Sequence, residues 1–228
     1  MKRVILYIIS ILVVFTFVFP LSISADKPIG VINDFSFESK VVTKAHDLNK
    51  ADIFALDPFG ISESYTEEGY SGSQSIHLKA DFREYSNVYS KTKGPVDLDE
   101  IVEISFWYKH LPDINEATPF AVLWFELSDG NLLCIIQWPY RFLGLNTEDW
   151  TKFDSDIWSY IVYDSDLNII GGESGPFLLS SIQEMFDGML LKNEGSVGIA
   201  AGFWGYYCNA LVDDLTIITQ KNSNKAKK

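Results

Sequence analysis

FAVLWFELSDGNLLCIIQW (120–138) is two apolar runs separated by SDGN. Asp129-Gly130 offers the positive φ angles of a tight hairpin turn, so the runs read as neighbouring antiparallel strands. Side chains in a strand point alternately to opposite faces. Trp124 and Glu126 therefore share one face, and Gln137 and Trp138 lie on opposite ones. A hairpin this rich in Val, Leu, Ile and aromatic residues needs a sheet on at least one side.

The same pattern extends in both directions. Strand-like runs occur at 31–39, 73–81, 87–92, 101–110, 156–164, 195–204 and 209–218, with Gly, Asp and Asn between them. In IVEISFWYKH (101–110), Val102, Ile104, Phe106 and Tyr108 fall on one face, and Glu103, Ser105, Trp107 and Lys109 on the other. A helical period appears once, in SSIQEMFDGML (180–190), which aligns Ile182, Met185, Phe186 and Met189 behind a Ser cap. These features predict an all-β domain, a β-sandwich of jelly-roll type with one short helix in a late insertion. DSDLN (164–168) begins like a calcium-binding EF-hand loop, but Ile169 stands where that loop needs Gly. It reads as a hairpin turn.

Lys2 and Arg3 precede an apolar run from Val4 to Phe19, then Pro20 and LSISA. This is the pattern of a secretory signal peptide over 1–25. The alternative is an uncleaved anchor, for which the run is shorter than the roughly 20 residues that span a bilayer; cleavage near Ser24 or Ala25 is expected, with no membrane insertion after it. The domain then covers 26–219, with a basic tail predicted to be disordered over 220–228. Without Lys2 and Arg3, 16 basic residues face 31 acidic ones, a net charge of −15. That balance repels phosphate backbones and argues against a nucleic-acid partner. Cys134 and Cys208 can form a disulfide in an extracellular setting. They can equally be two buried thiols.

NALVDDLTI (209–217) holds two adjacent carboxylates in an apolar strand. Unbroken alternation puts Asp213 with Leu211, Leu215 and Ile217, and a charge there needs a partner. A cation, backbone N–H groups or a lysine would serve.

Several short motifs occur in a fixed order: Asn33 with Phe37-Glu38, Glu67 before Ser71-Gly72 to Ile76, Ser105 to Lys109, and Val212 to Ile217. Together they resemble the carbohydrate-binding-module jelly rolls of the galactose-binding-like superfamily, and concanavalin-like sandwiches carry similar signals. The resemblance implies a structural calcium held by Glu38, Glu67 and Asp213 with a main-chain oxygen near Ser73. Mixed carboxylate and carbonyl donors suit that ion. It also implies a glycan ligand. If the strands are neighbours, Trp107, Trp124, Glu126 and Gln137 form one polar-aromatic groove. Trp138 and Tyr140 in QWPYRF, and Trp204 in GFWGYYCN, are further candidate platforms on loops.

Catalytic signatures are missing from the sequence. His46, His77 and His110 have no metal-ligand spacing, no G-x-S-x-G occurs, and Glu100 and Glu103 face opposite ways in a strand. The expectation is a secreted, non-catalytic carbohydrate-binding domain. A cell-surface or matrix domain with a protein partner is the alternative, and a polysaccharide-degrading enzyme ranks third.

Overall fold

The structure, a computed structural model, describes residues 29–35, 53–55, 60–82, 84–90, 95–113, 115–138, 149–190, 196–202 and 206–220. Alternating apolar residues build two antiparallel sheets, which pack face to face as a β-sandwich. This is the all-β class predicted from the sequence.

The six-stranded sheet runs β3 (Ile61–Tyr65), β4 (Ser75–Ala80), β14 (Cys208–Gln220), β6 (Ile101–His110) and β9 (Thr151–Phe153), with β1 (Ile29–Phe35) also on β14. The eight-stranded sheet runs β11 (Ile169–Leu178), β10 (Ile157–Tyr163), β8 (Leu132–Gln137), β7 (Phe120–Glu126), β13 (Val197–Ala201), β5 (Ser86–Ser90) and β2 (Ile53–Phe54). The two-residue β12 (Met189–Leu190) adds to β7. Successive strands lie in different sheets at β1–β2, β2–β3, β4–β5, β5–β6, β6–β7, β8–β9, β9–β10 and β13–β14, so the two sheets are interleaved along the chain.

Between the sheets lies the main core, with Ile76, Leu78, Phe106, Leu123, Phe125, Leu133, Ile135, Trp158, Ile199, Val212, Leu215 and Ile217 buried in it. A second apolar cluster covers the outer face of the eight-stranded sheet: Phe120, Val122, Cys134, Ile136 and Ala200. The 120–138 hairpin thus contributes to both layers. Leu123, Phe125, Leu133 and Ile135 point inward, while Val122, Trp124, Cys134 and Ile136 point outward.

Three expectations change. The helix, α1 (Leu179–Met185), ends before the predicted stretch does. Phe186 is extended, and Met189–Leu190 instead pair with Glu126 and Phe125, because strand bonds satisfy their backbone better than a frayed helix end. Only Leu179 and Ile182 of α1 are buried, while Met185 and Met189 are exposed. Second, β11 is not among the predicted strands, and its glycines and proline are residues that strand interiors disfavour. Third, no disulfide joins the cysteines. Cys208 faces the main core and Cys134 the outer cluster of the other sheet, and both are free and buried. Burial pushes both thiols up, Cys208 to about 12.

The DSDLN segment is the turn its composition indicates. Asp164 Oδ1 accepts the backbone N–H groups of Asp166 (2.9 Å) and Asn168 (2.8 Å). The Asn168 side-chain amide, and then those backbone bonds, hold the Asp164 carboxyl below its ordinary range. No helix among the described residues is long and apolar enough to cross a membrane.

Candidate functional site

The candidate residues do not form one groove. Trp124 and Glu126 share the outer face of the eight-stranded sheet, as alternation requires. Trp107 stands on the outer face of the six-stranded sheet, paired with Asp213 and Lys152. Gln137 lies between the sheets and is fully buried. Its Nε2 donates to the Ile104 carbonyl (3.2 Å) and the Ser155 carbonyl (2.7 Å), and its Oε1 accepts the Ala121 N–H (3.4 Å). Gln137 therefore ties the sheets together and cannot meet a ligand. Its placement depends on a pairing register that residue spacing does not specify. Trp138 is half-buried just past β8, where its N–H donates to the Ile157 carbonyl at 2.6 Å. Tyr140, Trp204 and Glu38 lie outside the described residues.

On the eight-stranded sheet the register arranges outward side chains in rows. Trp124 opposes Cys134, which opposes Ile161. One row further, Glu126 opposes Leu132, which opposes Tyr163. The Trp124 and Tyr163 rings lie 5.3 Å apart, tilted by 37°. On the other side, Tyr89 opposes Gly198 and Gly198 opposes Val122. A Cβ at Gly198 would come within 2.6 Å of the Tyr89 ring, so the missing side chain lets that ring lie across β13. The Tyr89 hydroxyl oxygen accepts a hydrogen bond from the Trp124 indole, and it is 3.5 Å from the Tyr85 hydroxyl. Trp124, Tyr163 and Tyr85 are all half-buried.

This strip is uncharged. Burial raises the Tyr85, Tyr89 and Tyr163 hydroxyls and the Cys134 thiol, so all remain protonated at neutral pH. Glu126 is the acidic group at its exposed end. A cleft of about 510 Å³ adjoins the strip, floored by Ile136, Ser159 and Ile161 and walled by Ile169 to Ser174 of β11. Sequence reasoning missed Tyr85, Tyr89 and Tyr163. Period-2 alternation could have marked Tyr163, but only the register places it beside Trp124.

The calcium candidates are arranged differently from expectation. Asp213 is 1% exposed. Its Oδ2 accepts the N–H groups of Tyr70 (2.8 Å) and Ser71 (3.3 Å), and its Oδ1 that of Asp214 (2.8 Å). Glu67 Oε2 accepts the Tyr65 hydroxyl (3.2 Å), and Ser73 is exposed. Among the described residues, no three His, Cys, Asp or Glu side chains cluster as metal ligands. Three backbone N–H groups stabilise the buried Asp213 carboxylate, and Glu38, the third carboxylate expected at a calcium, lies outside the described residues. The last strand is still joined to the Ser71-Gly72 turn, through hydrogen bonds.

The two packed antiparallel sheets define an all-β sandwich with an aromatic strip on one outer face. No family model and no curated protein matches the sequence. Among solved structures, the chain is similar to the CBM22-1 xylan-binding domain from Paenibacillus barcinonensis Xyn10C, at 14% identity and a TM-score of 0.43, covering 87% of this chain and 100% of that one. It is also similar to the CBM22-2 xylan-binding domain of the same protein, at 17% identity and a TM-score of 0.41, covering 83% and 99%. A third is the CBM22-1-GH10 region of Clostridium thermocellum xylanase 10B complexed with xylohexaose, at 12% identity and a TM-score of 0.42, covering 85% of this chain and 29% of that one.

Proposed function

We propose that this protein is a secreted, non-catalytic domain that binds a neutral glycan on the outer face of its eight-stranded sheet. One observation carries the reading: an uncharged strip of half-buried Trp124, Tyr163 and Tyr85, backed by the buried Tyr89, beside a cleft of about 510 Å³. Sugar rings present apolar C–H faces and polar edges, and half-buried Trp and Tyr offer a matching surface at low entropic cost. Ser159, Glu173 and Glu126 supply hydroxyl and carboxylate partners at the cleft and strip. Concave, mainly apolar sites with a few polar groups are the usual form of a small-molecule site.

The test is binding of the mature chain to a panel of soluble xylans, glucans and mannans, followed by titration with the best ligand. Trp124→Ala should weaken binding about tenfold or more, as for a central aromatic anchor. If no panel glycan binds, or Trp124→Ala and Tyr163→Ala both bind unchanged, the reading fails.

A protein partner is the second reading. Leu167, Ile169 and Ile170 are 64%, 68% and 55% exposed at the tip of the β10–β11 hairpin. Large exposed apolar side chains in one place mark interaction surfaces. Capture of a cell-surface protein that is lost in Ile169→Ser/Ile170→Ser, together with no glycan binding, would favour it.

A further inference from the structure

The face opposite Trp124 carries a second aromatic group. Trp107 pairs with Asp213 across β6 and β14. Tyr70 lies flat on Trp107, with centroids 3.9 Å apart and planes within 13°. Trp150 stands edge-on to Tyr70 at 6.0 Å and 61°. Tyr70 is nevertheless 42% exposed.

That exposed ring is held unusually firmly for a surface loop. The Tyr70 N–H donates to the buried Asp213 carboxylate at 2.8 Å, and the next N–H, of Ser71, donates to the same oxygen at 3.3 Å. Ser71 Oγ also donates to Asp214 Oδ1 at 2.7 Å. Polar groups surround the stack. Glu68 Oε1 accepts from Lys109 Nζ (2.7 Å) and Trp150 Nε1 (3.1 Å), and the exposed Glu67 accepts from the Tyr65 hydroxyl. A ring fixed by its own backbone and ringed by hydrogen-bonding side chains loses little freedom when a ligand stacks on it.

We propose that Tyr70, backed by Trp107 and flanked by Trp150, is a second sugar platform, on the opposite side of the sandwich from the Trp124 strip. Its occupant is a pyranose ring of a neutral glycan. The apolar sugar face stacks on Tyr70, and Glu67 and Glu68 accept ring hydroxyls. Rim carboxylates and a net charge of −15 for residues 26–228 disfavour an acidic glycan. The platform shares the ligand class of the proposed function but none of its residues. Sites on opposite faces cannot be filled by one short oligosaccharide, so the domain can hold two glycan chains and link them.

Calorimetric titration with a neutral hexasaccharide from the best panel glycan tests this, alongside turbidity with the long polysaccharide. The unmutated chain should bind about two hexasaccharides and cross-link the polymer. Tyr70→Ala and Trp124→Ala should each bind about one and lose cross-linking, while Tyr70→Phe behaves as the unmutated chain. In the unmutated chain, saturating hexasaccharide should also shift the Trp107 and Trp150 indole N–H resonances, a readout independent of any variant's folding. Unshifted resonances, or full stoichiometry and cross-linking in a folded Tyr70→Ala, would overturn the platform. If Tyr70→Ala abolishes binding and Trp124→Ala does nothing, this platform stands and the eight-stranded face is not the site. If no glycan binds the unmutated chain, both fall.

Discussion

Asp213 shows how one residue can be read correctly in part. A carboxylate among apolar neighbours needed a partner, and the partner proves to be three backbone N–H groups. Removing it leaves three part-buried donors without this acceptor, at about 1 kcal/mol for each group lost. Asp213→Ala should therefore lower stability by about 3 kcal/mol in urea unfolding, with Asp213→Asn falling between. Because three N–H groups already stabilise this carboxylate, a chelator should leave the melting temperature of the unmutated domain unchanged. A fall on chelation, restored by calcium, would assign the ion to donors beyond these. Gln137 is the second such residue. Gln137→Leu keeps the volume but leaves the Ile104 and Ser155 carbonyls without their cross-sheet donor, and should cost about 2–3 kcal/mol without altering glycan binding.

At the scale of elements, β14 explains why alternation misplaced Asp213. Its pairing with β4 ends at Val212, and its pairing with β1 begins at Leu215. Between them the register against β6 slips by one residue, and Asp214 takes φ 48°. This bulge reverses the phase of the strand. Ala210 and Val212 face the core before it, and Leu215 and Ile217 after it, so Asp213 is turned outward beneath the Tyr70 loop. Nothing in NALVDDLTI announces the extra residue. The short strand β9 is held to β6 partly by Lys152 Nζ, 2.7 Å from Glu103 Oε1. That contact keeps the Glu103 carboxyl below its ordinary range. A depressed folded-state value means the pair stabilises above the unfolded carboxylate pKa and loses that contribution as pH falls through the folded value. In Lys152→Met, NMR titration should show Glu103 moving back up. On the other sheet, Gly198→Val would drive a side chain into the Tyr89 ring and the Val88 carbonyl. It should weaken both folding and glycan binding, whereas Trp124→Ala affects binding alone.

For the whole molecule, two free cysteines in separate layers mean that stability rests on the sandwich core. A reductant should leave the melting temperature unchanged, and a thiol reagent should react with Cys134 and Cys208 only on unfolding, since both are buried and protonated. The all-β class, the hairpin at SDGN, the DSDLN turn and the shared face of Trp124 and Glu126 were all legible locally, because turn chemistry and period-2 alternation act over a few residues. Trp107, Trp124 and Gln137 could not be sorted in the same way. Each sits in a convincing strand, yet they end on one outer face, on the opposite outer face, and in the core between. Which sheet a strand joins, where a bulge resets its phase, and which ring lies over Gly198 depend on contacts between residues far apart in the chain. Alternation determined that each strand has two faces; only the packing of one sheet on the other decided which face meets solvent, and so where a ligand can bind.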